Sequence, residues 1–352
     1  MLERLFPTLA RARFVVQLAM LFFTLYGGAV VGHYTAEKIT GALPALSCAY
    51  DMQNPAYCVL IPTQHQLHHR VGEAIVRAQQ LTFQMVLPLA MTILTFFAFF
   101  FVLGKTFCGW VCPLGTLQEL IGRLGRRFGI GLRRVDKEDL GEVKRVRPVK
   151  WLLLLALVFT LPLLTGLGVT PHSLGNPYCD VCPSRIATTL LTGNTEQLAL
   201  RVGDGWSFAL GAIANVLIGF TLVGALAVRQ PFCRICPLLA FNALFQRLSP
   251  MRLVKPSADK CGKCHICTDA CPMDIPEISR QAGRKAYHED CTLCGRCAEY
   301  CPQDGVISLK WGPLALFSSS RDYYKKRVAG ELPDGTVKTV KFVRRGEANA
   351  NT

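Results

Sequence analysis

Sixteen of the 352 residues are cysteine, and nearly all fall in close pairs or quartets. Residues 261–272 read Cys-Gly-Lys-Cys-His-Ile-Cys-Thr-Asp-Ala-Cys-Pro, and residues 291–302 read Cys-Thr-Leu-Cys-Gly-Arg-Cys-Ala-Glu-Tyr-Cys-Pro. Both runs follow the spacing C-x2-C-x2-C-x3-C-P, in which three thiolates wrap three corners of one 4Fe–4S cube and the fourth reaches the neighbouring cube. Thiolates are soft ligands that suit such clusters. A first cluster is therefore expected on Cys261, Cys264, Cys267 and Cys301, and a second on Cys291, Cys294, Cys297 and Cys271. Pro272 and Pro302 turn the chain after each crossing cysteine, because proline fixes φ and removes a donor. Zinc is the plainer alternative, but four-cysteine zinc sites usually present two separated C-x2-C halves, not three cysteines in a row.

The other eight cysteines form looser sets. Phe107-Cys108-Gly-Trp-Val-Cys112-Pro-Leu is repeated, one residue shorter, as Phe232-Cys233-Arg-Ile-Cys236-Pro-Leu. Each proline suits the first turn of a new helix. Leu114, Leu117, Ile121 and Leu124 then keep helical spacing, as do Leu238, Phe241, Leu244, Phe245 and Leu248, which predicts helices lying along the cytoplasmic membrane surface. Cys108, Cys112, Cys233 and Cys236 are expected to share a third 4Fe–4S cluster, with unligated or zinc-bound thiols as the alternative. Cys179-Asp-Val-Cys182-Pro copies the C-x2-C-P pattern, and Cys48 and Cys58 complete the set. These four are compatible with a fourth cluster or with disulfides, since an oxidising outer compartment favours the latter.

Four stretches are long and apolar enough to span a bilayer and so position these cysteines: Phe14 to Tyr34, Gln84 to Gly104, Trp151 to Thr170 and Ser207 to Val228. The first is read as an uncleaved anchor, because its apolar run is too long for a signal peptide. Lys and Arg number 34 in the N-terminal arm, the second connection and the C-terminal part, against 5 in the other two connections. That bias places both termini in the cytoplasm of a bacterial inner-membrane protein. It also accounts for the net charge of +15 without nucleic acid as a partner. The expected architecture is an α-helical membrane protein: a four-transmembrane-helix bundle (1–255), an α+β bacterial-type two-cluster ferredoxin domain (256–310), and a basic tail (311–352), set in membrane lipid.

The four spans, the Phe-Cys-Gly-Trp-Val-Cys-Pro-Leu-Gly element, the second Cys-Pro element and the double ferredoxin run together resemble the NapH/NosR/CcoG-type membrane-bound polyferredoxins, over about residues 84–305. The likeness is greatest to the short NapH-type quinol dehydrogenase subunit. The resemblance implies cluster binding at Cys108, Cys112, Cys233, Cys236 and the eight ferredoxin cysteines. It also implies electron transfer between a quinone pool or a cytoplasmic donor and other redox subunits of a membrane or periplasmic complex. The outer cysteines Cys48, Cys58, Cys179 and Cys182 map onto no motif of that family. A reductive assembly or maturation factor for a partner metalloenzyme is the alternative function.

The weak point of a transmembrane relay is distance, since a hydrocarbon core of about 30 Å would separate the two faces. A quinone, a haem or a cluster drawn into the bundle would have to bridge it. His33, His65, His68, His69 and His172 all fall on the predicted outer side, where histidine could serve a haem or quinone site or be a plain interfacial residue. No Ser-His-Asp set, phosphate loop or dinucleotide fingerprint is present, so electron transfer is expected without nucleophilic chemistry.

Overall fold

A computed structural model describes residues 8–31, 50–51, 54–55, 58–78, 82–130, 140–200, 202–246, 248–256, 261, 264–275, 277–283 and 289–328. Cys48, His33 and the tail beyond 328 lie outside the described residues. The described residues are mostly helical, with a short two-stranded pairing of Tyr50–Asp51 with Asn54–Pro55 and a small three-stranded sheet near the C-terminus. Among the described residues, three helices are long and apolar enough to cross a membrane, at Leu9–Tyr26, Val146–Gly166 and Gly205–Ala227. The predicted second span is the helix Phe83–Leu103, whose apolar stretch Leu89–Leu103 is shorter. Phe22, Met91, Leu94, Val216, Phe220 and Val223 stand exposed on these helices. An apolar belt of that kind is stable only when something as apolar as lipid covers it.

Three shorter helices begin directly after a Cys-Pro step: Pro113–Arg127, Pro183–Leu191 and Pro237–Phe245. Their leading cysteines share one backbone conformation, with φ/ψ of −55°/119° at Cys112, −72°/117° at Cys182 and −66°/120° at Cys236. The following proline causes this, because it bars the preceding residue from the helical region while its own φ suits the first helical turn. The expectation of surface-lying helices holds only in part. Leu124, Leu244 and Leu248 are exposed, but Leu114, Leu238 and Phe241 are buried in the bundle.

The segment after the third long helix does not leave the bundle. Pro177–Val181 and Pro183–Leu191 turn back into it, packing Val181 and Ile186 with Leu114, Ile218 and Phe232. Ile218 lies near the middle of the helix Gly205–Ala227, so this turn reaches well inward.

The ferredoxin unit rests on an antiparallel sheet of Met251–Val254, Ser308–Trp311 and Leu314–Ser318. Met251 pairs with Trp311, and Val254 with Ser308. Alternation in Met-Arg-Leu-Val buries Met251 and Leu253 under the cluster-bearing loops. The sheet thus runs across both sequence-predicted boundaries, 256 and 310, and a helix at Arg321–Val328 buries Tyr324.

Ion pairs fasten this unit to the bundle. Glu119 accepts hydrogen bonds from Arg13 at 2.6 and 2.9 Å and from Arg123 at 2.8 Å, and also pairs with Arg296 of the second ferredoxin run. Burial pushes the Glu119 carboxyl up, but the guanidiniums of Arg296, Arg13 and Arg123 outweigh it and hold it at about 2. Arg147 meets Asp290 at 2.8 Å and Glu277 at 3.1 Å, and buried Lys150 pairs with Asp290.

Candidate metal centres

The eight ferredoxin cysteines line two cavities. One is lined by Cys261, Cys264, Cys267 and Cys301 with Val306 and Ile307. The other is lined by Cys291, Cys294, Cys297 and Cys271 with Leu253 and Met273. In each cavity three cysteines come from one run and the fourth from the other. Two residues that follow the second cysteine of a run, His265 and Gly295, take left-handed φ of 60° and 76° and start the short helices carrying the third cysteine. Burial pushes the Cys267 thiol up to about 12, and those of Cys291 and Cys301 up to about 11. Bare thiolates are therefore disfavoured in these walls. Iron suits them, because a coordinated metal takes the place of the thiol proton.

The Cys108–Cys112 loop lies directly against the second run. Trp110 Nε1 donates to the Leu293 carbonyl at 3.2 Å. A Cβ at Gly109 would stand 2.5 Å from the Thr292 carbonyl oxygen, so only glycine permits this approach. Cys108, Cys233 and Cys236 pack against the ferredoxin core, and Cys112 and Cys236 pack against the same buried cluster in the bundle. Asn242 Nδ2 donates to Cys108 Sγ at 3.4 Å. Fully buried Lys105 donates to the Glu289 carbonyl. Burial pushes Lys105 down to about 8, against the thiols of Cys291 and Cys108, which favour its charge. A cation is thus set between the second ferredoxin site and this proximal group.

Gln118 Oε1 accepts from the Phe232 N–H at 3.1 Å, and its Nε2 donates to the Leu114 carbonyl at 3.2 Å and to Cys233 Sγ at 3.5 Å. Gln64 does the same in the other cysteine set: Oε1 accepts from the Tyr178 N–H at 3.2 Å, and Nε2 donates to the Leu60 carbonyl at 3.0 Å and to Cys179 Sγ at 3.0 Å. Gln118 follows Cys112 by six residues, as Gln64 follows Cys58. Phe232 and Tyr178 each immediately precede the first cysteine of a C-x2-C-P pair. The distal group, Cys58, Cys179 and Cys182, is thus built on the same plan as the proximal one.

Tyr178 joins the two groups. It is buried, and its hydroxyl lies 3.8 Å from Cys236 Sγ and 3.8 Å from Cys182 Sγ. Those two sulfurs are therefore no more than twice that distance apart. The gap of a full bilayer expected between the two cysteine sets does not exist between these residues. The inward-turning helices at 177–191 bring them together. Cys48 lies outside the described residues.

The predicted outer histidines also gather. His65, His68, His69 and His172 form one ring cluster, with His68 and His69 stacked at 3.9 Å between centroids. Burial, with His69 and His172 as neighbours, holds His68 at about 4, so its ring is neutral at neutral pH. Sequence reasoning missed Gln64, Gln118, Tyr178, Asn242 and Lys105. The repeated six-residue step from cysteine to glutamine was the one signal available for the first two.

The fold and cysteine sets define a membrane protein with ferredoxin-type iron–sulfur domains. A 4Fe-4S binding domain family matches twice, at residues 84–131 and 210–256, and a 4Fe-4S dicluster domain matches residues 260–307. The chain is 28% identical over 208 residues to the putative electron transport protein YccM of Escherichia coli K12, covering 59% of this chain and 51% of YccM. It is 24% identical over 214 residues to the ferredoxin-type protein NapH of the same organism, covering 59% of this chain and 63% of NapH. It is 28% identical over 200 residues to the regulatory protein NosR of Pseudomonas aeruginosa, covering 56% of this chain and 24% of NosR. The match therefore spans less than two thirds of each of these three relatives. No solved structure matches. The relatives bear out the resemblance to NapH/NosR-type membrane polyferredoxins and the reading as an iron–sulfur electron-transfer protein.

Proposed function

We propose that the chain relays electrons through four sets of cysteine-held 4Fe–4S clusters, from the ferredoxin unit into the membrane bundle and on toward its opposite face. Each bound cluster supplies one-electron redox chemistry. Cys261, Cys264, Cys267 and Cys301 hold the first, and Cys291, Cys294, Cys297 and Cys271 the second. Cys108, Cys112, Cys233 and Cys236 hold the third, and Cys58, Cys179 and Cys182, with Cys48, hold the fourth. The observation that carries this reading is the Tyr178 hydroxyl at 3.8 Å from a sulfur of each membrane group. Gln118 and Gln64 donate to one sulfur in each group, and Lys105 places positive charge beside Cys291 and Cys108.

The 34-to-5 division of Lys and Arg supports a cytoplasmic ferredoxin unit and an inner-membrane location. The relay's ends then face a quinone pool or cytoplasmic donor on one side and a membrane or periplasmic redox subunit on the other. Iron and haem quantification with redox-titrated EPR on anaerobically purified protein tests the proposal. About sixteen irons per chain is the expected result, and about twelve, with the distal thiols recovered as disulfides, would remove the fourth cluster.

A further inference from the structure

Among the described residues, and apart from the cysteines, one cluster of side chains has the composition of a metal site. His68, His69, His172 and Glu73 each offer a ligand atom, and those atoms all lie within 4.8 Å of one another. His69 Nδ1 is 2.6 Å, and His68 Nε2 3.7 Å, from the same oxygen, Glu73 Oε1. Ligand atoms around a tetrahedral zinc, each at about 2.0–2.1 Å, stand about 3.4 Å from one another. Closing the set on an ion therefore asks each side chain to move by about 1 Å or less.

The backbone prepares this arrangement. Gln66–Gly72 is a π-helical turn within the helix that runs from Leu60 to Ala78. In a π turn residues i and i+5 come into line, so His68 as well as His69 reaches Glu73. Such turns recur at functional sites. This helix meets Leu161–Gly166 so closely that a Cβ at Gly166 would stand 2.3 Å from the His68 carbonyl oxygen. His172, six residues beyond Gly166, is thereby delivered to the cluster. A Cβ at Gly175 would stand 2.3 Å from His68 Nδ1, so the ring needs glycine there to hold its place. His68 is only 2% exposed, and its Nδ1 is buried with no hydrogen-bond partner. A plain His69–Glu73 pair on a helix surface explains neither the burial of His68 nor the convergence of His172.

We propose that His68, His69, His172 and Glu73 bind a divalent first-row transition ion, with zinc the ion that best suits three imidazoles and one carboxylate closing a tetrahedron. The stacking of His68 on His69 leaves no slot for a macrocycle between those two rings. With all four positions filled by protein, the ion's role is to tie the helix Leu60–Ala78, which carries Gln64, to the segment leading into Tyr178 and Cys179.

The test uses the full chain, purified anaerobically with its iron, and zinc alone as the probe. Zinc uptake at one per chain is expected, with an X-ray absorption shell of nitrogen and oxygen at about 2.0 Å. His172→Ala, at an exposed position, should abolish stoichiometric uptake while iron content stays the same. Gly175→Ala keeps every ligand but displaces His68, and should weaken zinc binding by about 10- to 100-fold, as loss of ligand positioning does. Glu73→Gln supplies the same reading should His172→Ala also lose iron. A sulfur shell at about 2.3 Å, failure of the parent chain to take up zinc, or unchanged uptake in both His172→Ala and Glu73→Gln would overturn the proposal.

Discussion

The proximal and distal cysteine groups share one local design and differ in what surrounds it. In both, a glutamine six residues after a cysteine binds the backbone and the sulfur of a C-x2-C-P pair. The proximal group packs against the ferredoxin core, and the residue after its glutamine is Glu119, gripped by Arg13, Arg123 and Arg296. The distal counterpart of Glu119 is His65, part of a histidine cluster, and the distal counterpart of Phe232 is Tyr178. That exchange of phenylalanine for tyrosine supplies a hydroxyl that touches both groups. A repeated ligand frame can thus serve two positions in a chain of carriers, with the neighbours deciding what each position connects to.

The largest effect should come from removing sulfurs. Cys236→Ser and Cys182→Ser are each expected to lose about four irons and to lose different EPR signals. Loss of one and the same signal in both variants would mean a single centre in place of two groups. Next comes Glu119→Gln, which should lower stability on the order of 3 kcal/mol at neutral pH, read as a fall in the melting temperature. Because the folded Glu119 is held at about 2, below its ordinary value of 4.5, its contribution is complete above about 4.5 and lost as pH falls toward 2. The gap between parent and Glu119→Gln should therefore narrow in that window.

Gln118→Leu and Gln64→Leu offer a direct comparison. Each leaves a buried backbone N–H and a sulfur without their partner, costing about 1–3 kcal/mol, and should lower the reduction potential of its own centre only. Equal costs would confirm the common plan, while a shift at the wrong centre in the redox titration would break it. The smallest change in stability belongs to Tyr178→Phe, about 0.5–1.5 kcal/mol with iron content unchanged. Freeze-quench EPR after rapid reduction should nonetheless show slower equilibration between the two membrane groups. Unaltered equilibration would remove the hydroxyl from the route.

Much of the site was legible without coordinates because ligand spacing is a local property. The two ferredoxin runs, the Cys-Pro steps and the apolar spans each lie within a short stretch of chain, where proline geometry and hydropathy act directly. The crossing of Cys271 and Cys301 was expected from the motif, and the cavities that gather three cysteines of one run with the fourth of the other agree with it. The span count was less so, since Phe83–Leu103 carries a shorter apolar stretch than the other three. The sheet strands flanking the ferredoxin loops were missed because Met251–Val254 and Leu314–Ser318 pair only through the intervening Ser308–Trp311, far along the chain from the first.

The residues alone determined that each ferredoxin run carries metal-ligand spacing, that several segments are apolar enough to span a membrane, and that Cys48, Cys58, Cys179 and Cys182 were a set to be explained. Only the tertiary structure decided how near those last cysteines come to the others. Hydropathy assigns a segment to one face or the other, but it carries no information about a short helix pair that turns back inward. Packing of Val181 and Ile186 against Leu114 and Ile218 draws that pair in, and with it the Tyr178 hydroxyl that lies between Cys182 and Cys236.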